Sequence, residues 1–192
     1  MQYKALDMIH DEHRALAAML NGMRTIATGI RDGRMKVDFA LYAAMIRYME
    51  EVPEKLHHPK ENEYLFALLR LRTDAANPIL ARLEAEHQAG SKRIHALRTA
   101  LESYQTAGDA GFAAFFAALN DYVADEWQHM NTEEHEIFPL ARQHLLPEDW
   151  AAIEAAFLAN DNPWQGKRGE YEALFSQIVN TAPAPVGLGG SV

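Results

Sequence analysis

Two stretches of this chain carry one acid and histidine pattern at helical spacing. The first, "EKLHHPKENEYLFALL", runs from Glu54 to Leu69; the second, "EWQHMNTEEHEIFPLA", runs from Glu126 to Ala141. Superposed, they share a Glu, a His three residues on, a Glu four residues after that, then Phe and Leu. Helical positions i and i+4 lie on one face, a turn apart. His57 therefore points the same way as Glu61, and His129 the same way as Glu133. Leu56, Leu65 and Leu68 flank the first pair, and Ile137 and Leu140 flank the second, so both lie in apolar stripes.

Elsewhere the chain writes a second, shorter unit twice: Glu12-His13 and Glu86-His87. His13 continues the stripe Leu6, Ile9, Leu16, Leu20, and His87 follows Leu80 and Leu83. The chain thus reads as two helical hairpins of similar design, each offering one lone His and one H-x-x-x-E pair.

Helical periodicity covers nearly the whole length. A first helix is expected over residues 3–30, ending at "RDGRMKVD". Asp38 is the expected N-cap of a second, running to about Leu71 and bending on the way. "TDAANP" is a turn in which Asn77 reads as N-cap and Pro78 as first helical residue. A third helix runs to about Gln105, and "AGDAG" separates it from a fourth. Alternating strand patterns are nearly absent. Four long helices joined by short links imply an all-α fold, an up-down-up-down four-helix bundle. The expected bundle covers residues 1–146. One or two further helices over 147–180 ("PEDWAAIEAAFL", "EYEALFSQIVN") pack on it, and a Pro- and Gly-rich tail over 181–192 is expected to be flexible.

All six residues, His13, His57, Glu61, His87, His129 and Glu133, aim at the axis of such a bundle. Burying an uncompensated carboxylate costs several kcal/mol, and the stripes offer too few inward Lys or Arg to pair with two of them. A metal supplies the missing positive charge. Four imidazoles and two bridging carboxylates suffice for two divalent ions, and this donor set suits iron, manganese or zinc better than calcium or magnesium. His10, one turn before His13, is a possible alternative ligand. Glu54, Glu126 and His58 are possible outer partners, with His58 expected to point away from its neighbour His57. Pro59 and Pro139 should kink or bulge their helices beside the site.

Composition narrows the field. With no cysteine, thiolate zinc sites, cysteine-ligated clusters and disulfides are excluded. A formal net charge of −9 argues against nucleic acid as partner. No apolar run approaches the roughly 18 residues needed to cross a membrane, and the start lacks an apolar signal core, so a cytoplasmic protein is expected.

The order H … H-x-x-x-E … H … H-x-x-x-E, with "HHPKENEYLF" and "HMNTEEHEIFPLA", resembles the hemerythrin-like (HHE cation-binding) proteins over about residues 5–145. The resemblance implies a non-haem di-iron centre bridged by two carboxylates and an oxygen. His13 and His57 would sit on one iron, His87 and His129 on the other, and Glu61 and Glu133 would bridge them. The oxygen carriers of that family have a further His where this chain has Leu83, and in the fourth helix they use a His with an Asp five residues on, where this chain has Glu133 four residues after His129. The four-His, two-Glu set is more similar to the di-iron proteins that repair iron–sulfur clusters under nitrosative stress, which carry a Cys-containing N-terminal segment.

Two imidazoles, two carboxylate oxygens and one bridge give each iron about five ligands, leaving one octahedral position open. The expected function is therefore binding or reduction of a small ligand, O2, NO or peroxide, in sensing, storage or stress defence. Two alternatives compete. One is a ferritin-like iron oxidase using the E-x-x-H pairs Glu54/His57 and Glu126/His129, with Glu12 and Glu86 as further carboxylates. The other is a metal-dependent sensor module without turnover.

Overall fold

The computed structural model describes residues 3–158 and 165–189, with residues 165–172 described by their backbone alone. Among the described residues the chain is all-α, apart from one isolated bridge between Pro183 and Gly189. Helix α1 (Lys4–Arg31) ends where Gly33 takes a positive φ of 69°, a conformation that costs a residue without Cβ little. Asp38 caps α2 (Phe39–Val52) as expected, its carboxylate accepting the Leu41 N–H at 2.9 Å. Such a cap contributes about 1 kcal/mol.

The second helical run then departs from α geometry. A π-helical segment over Pro53–His57, a short α3 (His58–Lys60) and a second π segment over Glu61–Phe66 lead into α4 (Ala67–Arg72). The cause is Pro59, whose ring cannot donate an N–H and crowds the carbonyl one turn back. Widening the turn relieves this, and the His58 N–H reaches the Pro53 carbonyl instead. The same solution appears ahead of Pro139: α6 (Asp109–Thr132) passes into a π segment over Glu133–Ile137, where the Phe138 N–H bonds the Glu133 carbonyl. All three π segments carry or adjoin the repeated His and Glu residues, and such bulges are common at functional sites.

Asn77 is not the N-cap expected of it. The Thr73 hydroxyl accepts the Ala75 N–H at 3.2 Å and caps a 3-10 turn (Asp74–Ala76) that runs straight into α5 (Asn77–Ala107). The Asn77 amide donates to Asp74 instead, at 3.0 Å. Gly108, at φ 62°, alone separates α5 from α6.

In space α1 packs against α2 and α6, and α5 packs against the same two. Their buried side chains form two apolar clusters. One gathers Leu16, Leu20, Met23, Tyr42, Met49, Leu97, Phe115 and Leu119; the other gathers Leu6, Ile9, Leu65, Phe66, Leu80, Leu83, Ile137 and Phe138. Each helical run crosses from one cluster to the other, and at each crossing it carries a His or a His/Glu pair. The polar residues thus form a belt across the core, sealed on both sides.

The C-terminal elements close the two ends. Helices α7 (Phe138–His144) and α8 (Pro147–Leu158) reach the second cluster, where Phe138, Ile153 and Phe157 are buried. Arg72 clamps Asp149 with two bonds of 2.7 and 2.8 Å, tying α4 to α8. Helix α9 (Gln165–Thr181), which starts earlier than expected, buries Ile178 in the first cluster. After α9 the chain folds back onto it and onto the first cluster. Ala182 is buried and Val186 packs on the first cluster, while Leu188 N–H bonds the Val179 carbonyl at 2.7 Å. Gly187 and Gly189 permit this, because a Cβ at either would strike the carbonyls of Val179, Thr181 or Ala182. The expectation for residues 190–192 lies outside the described residues.

Candidate metal centre

The belt brings all six expected residues together. His13 comes from α1, His57 and Glu61 from the two π segments of the second run, His87 from α5, His129 from α6 and Glu133 from the third π segment. None is more than 8% exposed. His13 and His57 face each other Nε2 to Nε2 at 3.0 Å, and His87 and His129 do so at 2.9 Å. The two carboxylates span both pairs. Glu61 Oε1 lies 3.2 Å from His57 Nε2 and 3.9 Å from His13 Nε2, while its Oε2 lies 3.7 Å from His87 Nε2. Glu133 Oε2 lies 3.3 Å from His13 Nε2, and its Oε1 lies 3.3 Å from His129 Nε2 and 3.8 Å from His87 Nε2.

The opposite face of each ring is held by a hydrogen-bond acceptor. His57 Nδ1 donates to Glu12 at 2.7 Å and His129 Nδ1 to Glu86 at 2.8 Å. His13 Nδ1 donates to Glu134 at 2.8 Å and His87 Nδ1 to the Asn62 carbonyl at 2.9 Å. These acceptors fix the Nδ1–H tautomer, so each neutral ring presents a bare Nε2 lone pair to the interior. Two lone pairs facing at 3.0 Å repel unless a proton or a cation lies between them.

A cation fits these donors. Imidazole nitrogens lie about 2.0–2.1 Å from a divalent metal, so two held at a right angle are about 3.0 Å apart, the spacing observed. All four oxygens of Glu61 and Glu133 are buried without a hydrogen-bond partner, although buried polar atoms are almost always satisfied. The side chains form two four-residue groups of close ligand atoms, His13/His57/Glu61/Glu133 and Glu61/His87/His129/Glu133.

Without metal, protons serve instead. Burial works against protonated His57, but the Glu61 and Glu12 carboxylates override it and hold the imidazole well above its ordinary value. For His129, burial is likewise outweighed by Glu133 and Glu86, which carry it to about 10. His13 is raised against its burial by Glu133 and Glu134. His87 behaves oppositely: burial and the neighbouring His129 push it down to about 3. Burial and the Glu133 charge raise the Glu61 carboxyl.

The outer residues sort differently. His10 joins neither four-residue group; it shares Glu134 Oε1 with His13, at 3.0 Å. His58 is buried rather than turned away, its ring stacked on His87 with centroids 4.0 Å apart and planes 13° apart. Its nitrogen also falls in a close group with His87 and His129. Glu54 and Glu126 join neither four-residue group. Arg93 lies 3.4 Å from Glu126, and burial together with the Glu126 charge raises the Glu54 carboxyl to about 7. The Glu54 carboxylate lies against Gly90, where a Cβ would collide with it. Sequence reasoning missed Asn62 and Glu134 as imidazole partners. The signal was present, since each follows directly after a repeated Glu, at matching places in the two stretches.

Residues 4–141 match the family model described as hemerythrin HHE cation binding domain. Curated proteins named iron-sulfur cluster repair protein YtfE are similar to this chain. Those of Musicola paradisiaca (strain Ech703) and Yersinia pseudotuberculosis (serotype O:1b, strain IP 31758) are each 23% identical over 136 residues. The match covers 69% of this chain and 60% of each relative, so the chain spans less than two thirds of their length. No solved structure matches the chain significantly.

Proposed function

The chain belongs to the hemerythrin HHE cation-binding family, and on that footing we propose that it is a non-haem di-iron protein that binds or reduces a small ligand: O2, NO or peroxide. One observation carries this reading. Two inward-facing Nε2 pairs lie on either side of two buried carboxylates whose four oxygens have no other partner. His13 and His57 would hold one iron and His87 and His129 the other, with Glu61 and Glu133 shared between them. We read the helices as an up-down-up-down bundle around this centre. Paired iron held there would supply redox chemistry and Lewis acidity toward a small ligand.

The protein's own residues do the rest. Glu12, Glu86, Glu134 and Asn62 orient the imidazoles through Nδ1. Phe138 lies parallel to His13 at 6.2 Å and Phe66 parallel to His87 at 5.7 Å, so apolar rings of the second cluster exclude water from that side of the belt. Among the described residues no helix is long and apolar enough to cross a membrane, and we place the protein in the cytoplasm. The relatives named for iron–sulfur cluster repair support stress defence as its setting.

The ferritin-like alternative requires Glu54 and Glu126 as ligands, yet these turn toward Gly90 and Arg93. The test is to reconstitute the protein with Fe(II) without air and to titrate O2, NO and peroxide while recording the optical spectrum. A stoichiometric change that is lost in the Glu61→Gln/Glu133→Gln double variant is expected. An unchanged spectrum with all three ligands would refute the proposal. Loss of iron from a Glu54→Gln/Glu126→Gln variant would favour the oxidase reading instead.

A further inference from the structure

The centre has an internal two-fold likeness that follows the sequence repeat. His13 corresponds to His87, His57 to His129, Glu61 to Glu133, Glu12 to Glu86 and Phe66 to Phe138. Two kinds of outer contact have their counterparts: Glu12 holds His57 as Glu86 holds His129, and Phe138 covers His13 as Phe66 covers His87. The flanking cations match too, with Lys60 3.5 Å from Glu12 and Arg82 3.8 Å from Glu86. At one imidazole the likeness fails. His13 Nδ1 donates to the Glu134 carboxylate, whereas His87 Nδ1 donates to the neutral Asn62 carbonyl.

We infer that the two metal positions are unequal, and that Asn62 makes the His87/His129 position the weaker and the first to be emptied. A carboxylate behind a ligating imidazole raises its basicity, and losing such a partner typically costs 10- to 100-fold in metal affinity. A charged acceptor also makes the stronger hydrogen bond. The His13/His57 position has two such carboxylates, Glu134 and Glu12; the His87/His129 position has one, Glu86. His10 draws on Glu134 as well, but a shared carboxylate still carries charge where Asn62 carries none. His58, whose ring stacks on His87 and has a nitrogen close to those of His87 and His129, brings no carboxylate to that side, so it does not supply the charge that Asn62 lacks.

An exchangeable iron beside a retained one gives the protein a means of delivering or losing metal without losing its centre. This inference rests on the proposal that both positions bind metal. The test is competition for iron between the anaerobic Fe(II)-loaded protein and a coloured ferrous chelator. In the unmodified protein one iron should leave at a roughly 10- to 100-fold lower chelator concentration than the other. Asn62→Asp should bring the two steps together by strengthening the weaker, and Glu134→Gln should bring them together by weakening the stronger. His87→Ala should retain the tight step and lose the weak one. Two irons leaving in one step from the unmodified protein would overturn the inference alone, as would an Asn62→Asp protein of unchanged helicity whose steps stay apart. Fewer than two irons bound at the outset would overturn the underlying proposal as well.

Discussion

Loading the centre with divalent metal should drive protons out of the protein in a number the structure sets. In the metal-free chain, carboxylates raise His13, His57 and His129 above the usual imidazole range, while His87 is pushed down to about 3. Every Nδ1 already donates to a fixed acceptor, so an extra proton sits on Nε2, the atom that would face the metal. His13 and His57 face each other at 3.0 Å and hold one such proton between them, and His129 holds a second against neutral His87. Binding two metals therefore displaces about two protons, plus any held on Glu61. The sign follows: protons compete with metal, so apparent affinity falls as pH falls. The slope is about two decades per pH unit, or about 3 kcal/mol. It flattens as the rings deprotonate, the His129 share persisting until about pH 10. Calorimetric titration at pH 6 in buffers of different ionisation heat counts these protons directly. A count below one would mean that the imidazoles are either uncharged or not the groups that metal displaces.

Other parts of the structure make separate predictions. Glu12→Gln removes the carboxylate behind His57 and should weaken metal binding about 10- to 100-fold with helicity intact; unchanged affinity in a competition assay would refute that role. Gly90→Ala places a methyl group on the Glu54 carboxylate and should cost about 1–3 kcal/mol, as overpacking does; an unaltered melting temperature would contradict the close approach. Glu54 keeps its proton to about pH 7 in the folded chain, against 4.5 unperturbed. Its contribution to stability is complete below pH 4.5 and is lost as pH rises through 7, amounting to at most about 3 kcal/mol. Glu54→Gln should flatten the fall in denaturant stability between pH 5 and 8 at constant metal loading, and an identical slope would count against the buried neutral acid.

The repeat made the inner residues legible. His57/Glu61 and His129/Glu133 share a face by helical spacing alone, and the apolar stripes around His13 and His87 told which way those rings turn. The prolines told where helical geometry would give way, since Pro59 and Pro139 lack a donor whatever their surroundings. What escaped the sequence depends on contacts between distant segments. Glu134 meets His13 and Asn62 meets His87 across helix interfaces; the repeat marks both positions, but spacing within one helix does not say which ring each one meets. His58 was expected to turn away because adjacent helical residues diverge by about 100°. The π segments on either side alter that register, and the ring stacks on His87. The tail was read from its Pro and Gly content, yet Gly187 and Gly189 are what let it press onto α9.

If His13, His57, Glu61, His87, His129 and Glu133 hold two metal ions per chain, elemental analysis of untagged protein, reconstituted with Fe(II) without air and freed of excess metal, should find about two irons per chain, lost together when both Glu61 and Glu133 become Gln. One iron or none in the unmodified chain, or two retained in that double variant, would contradict that ligand set.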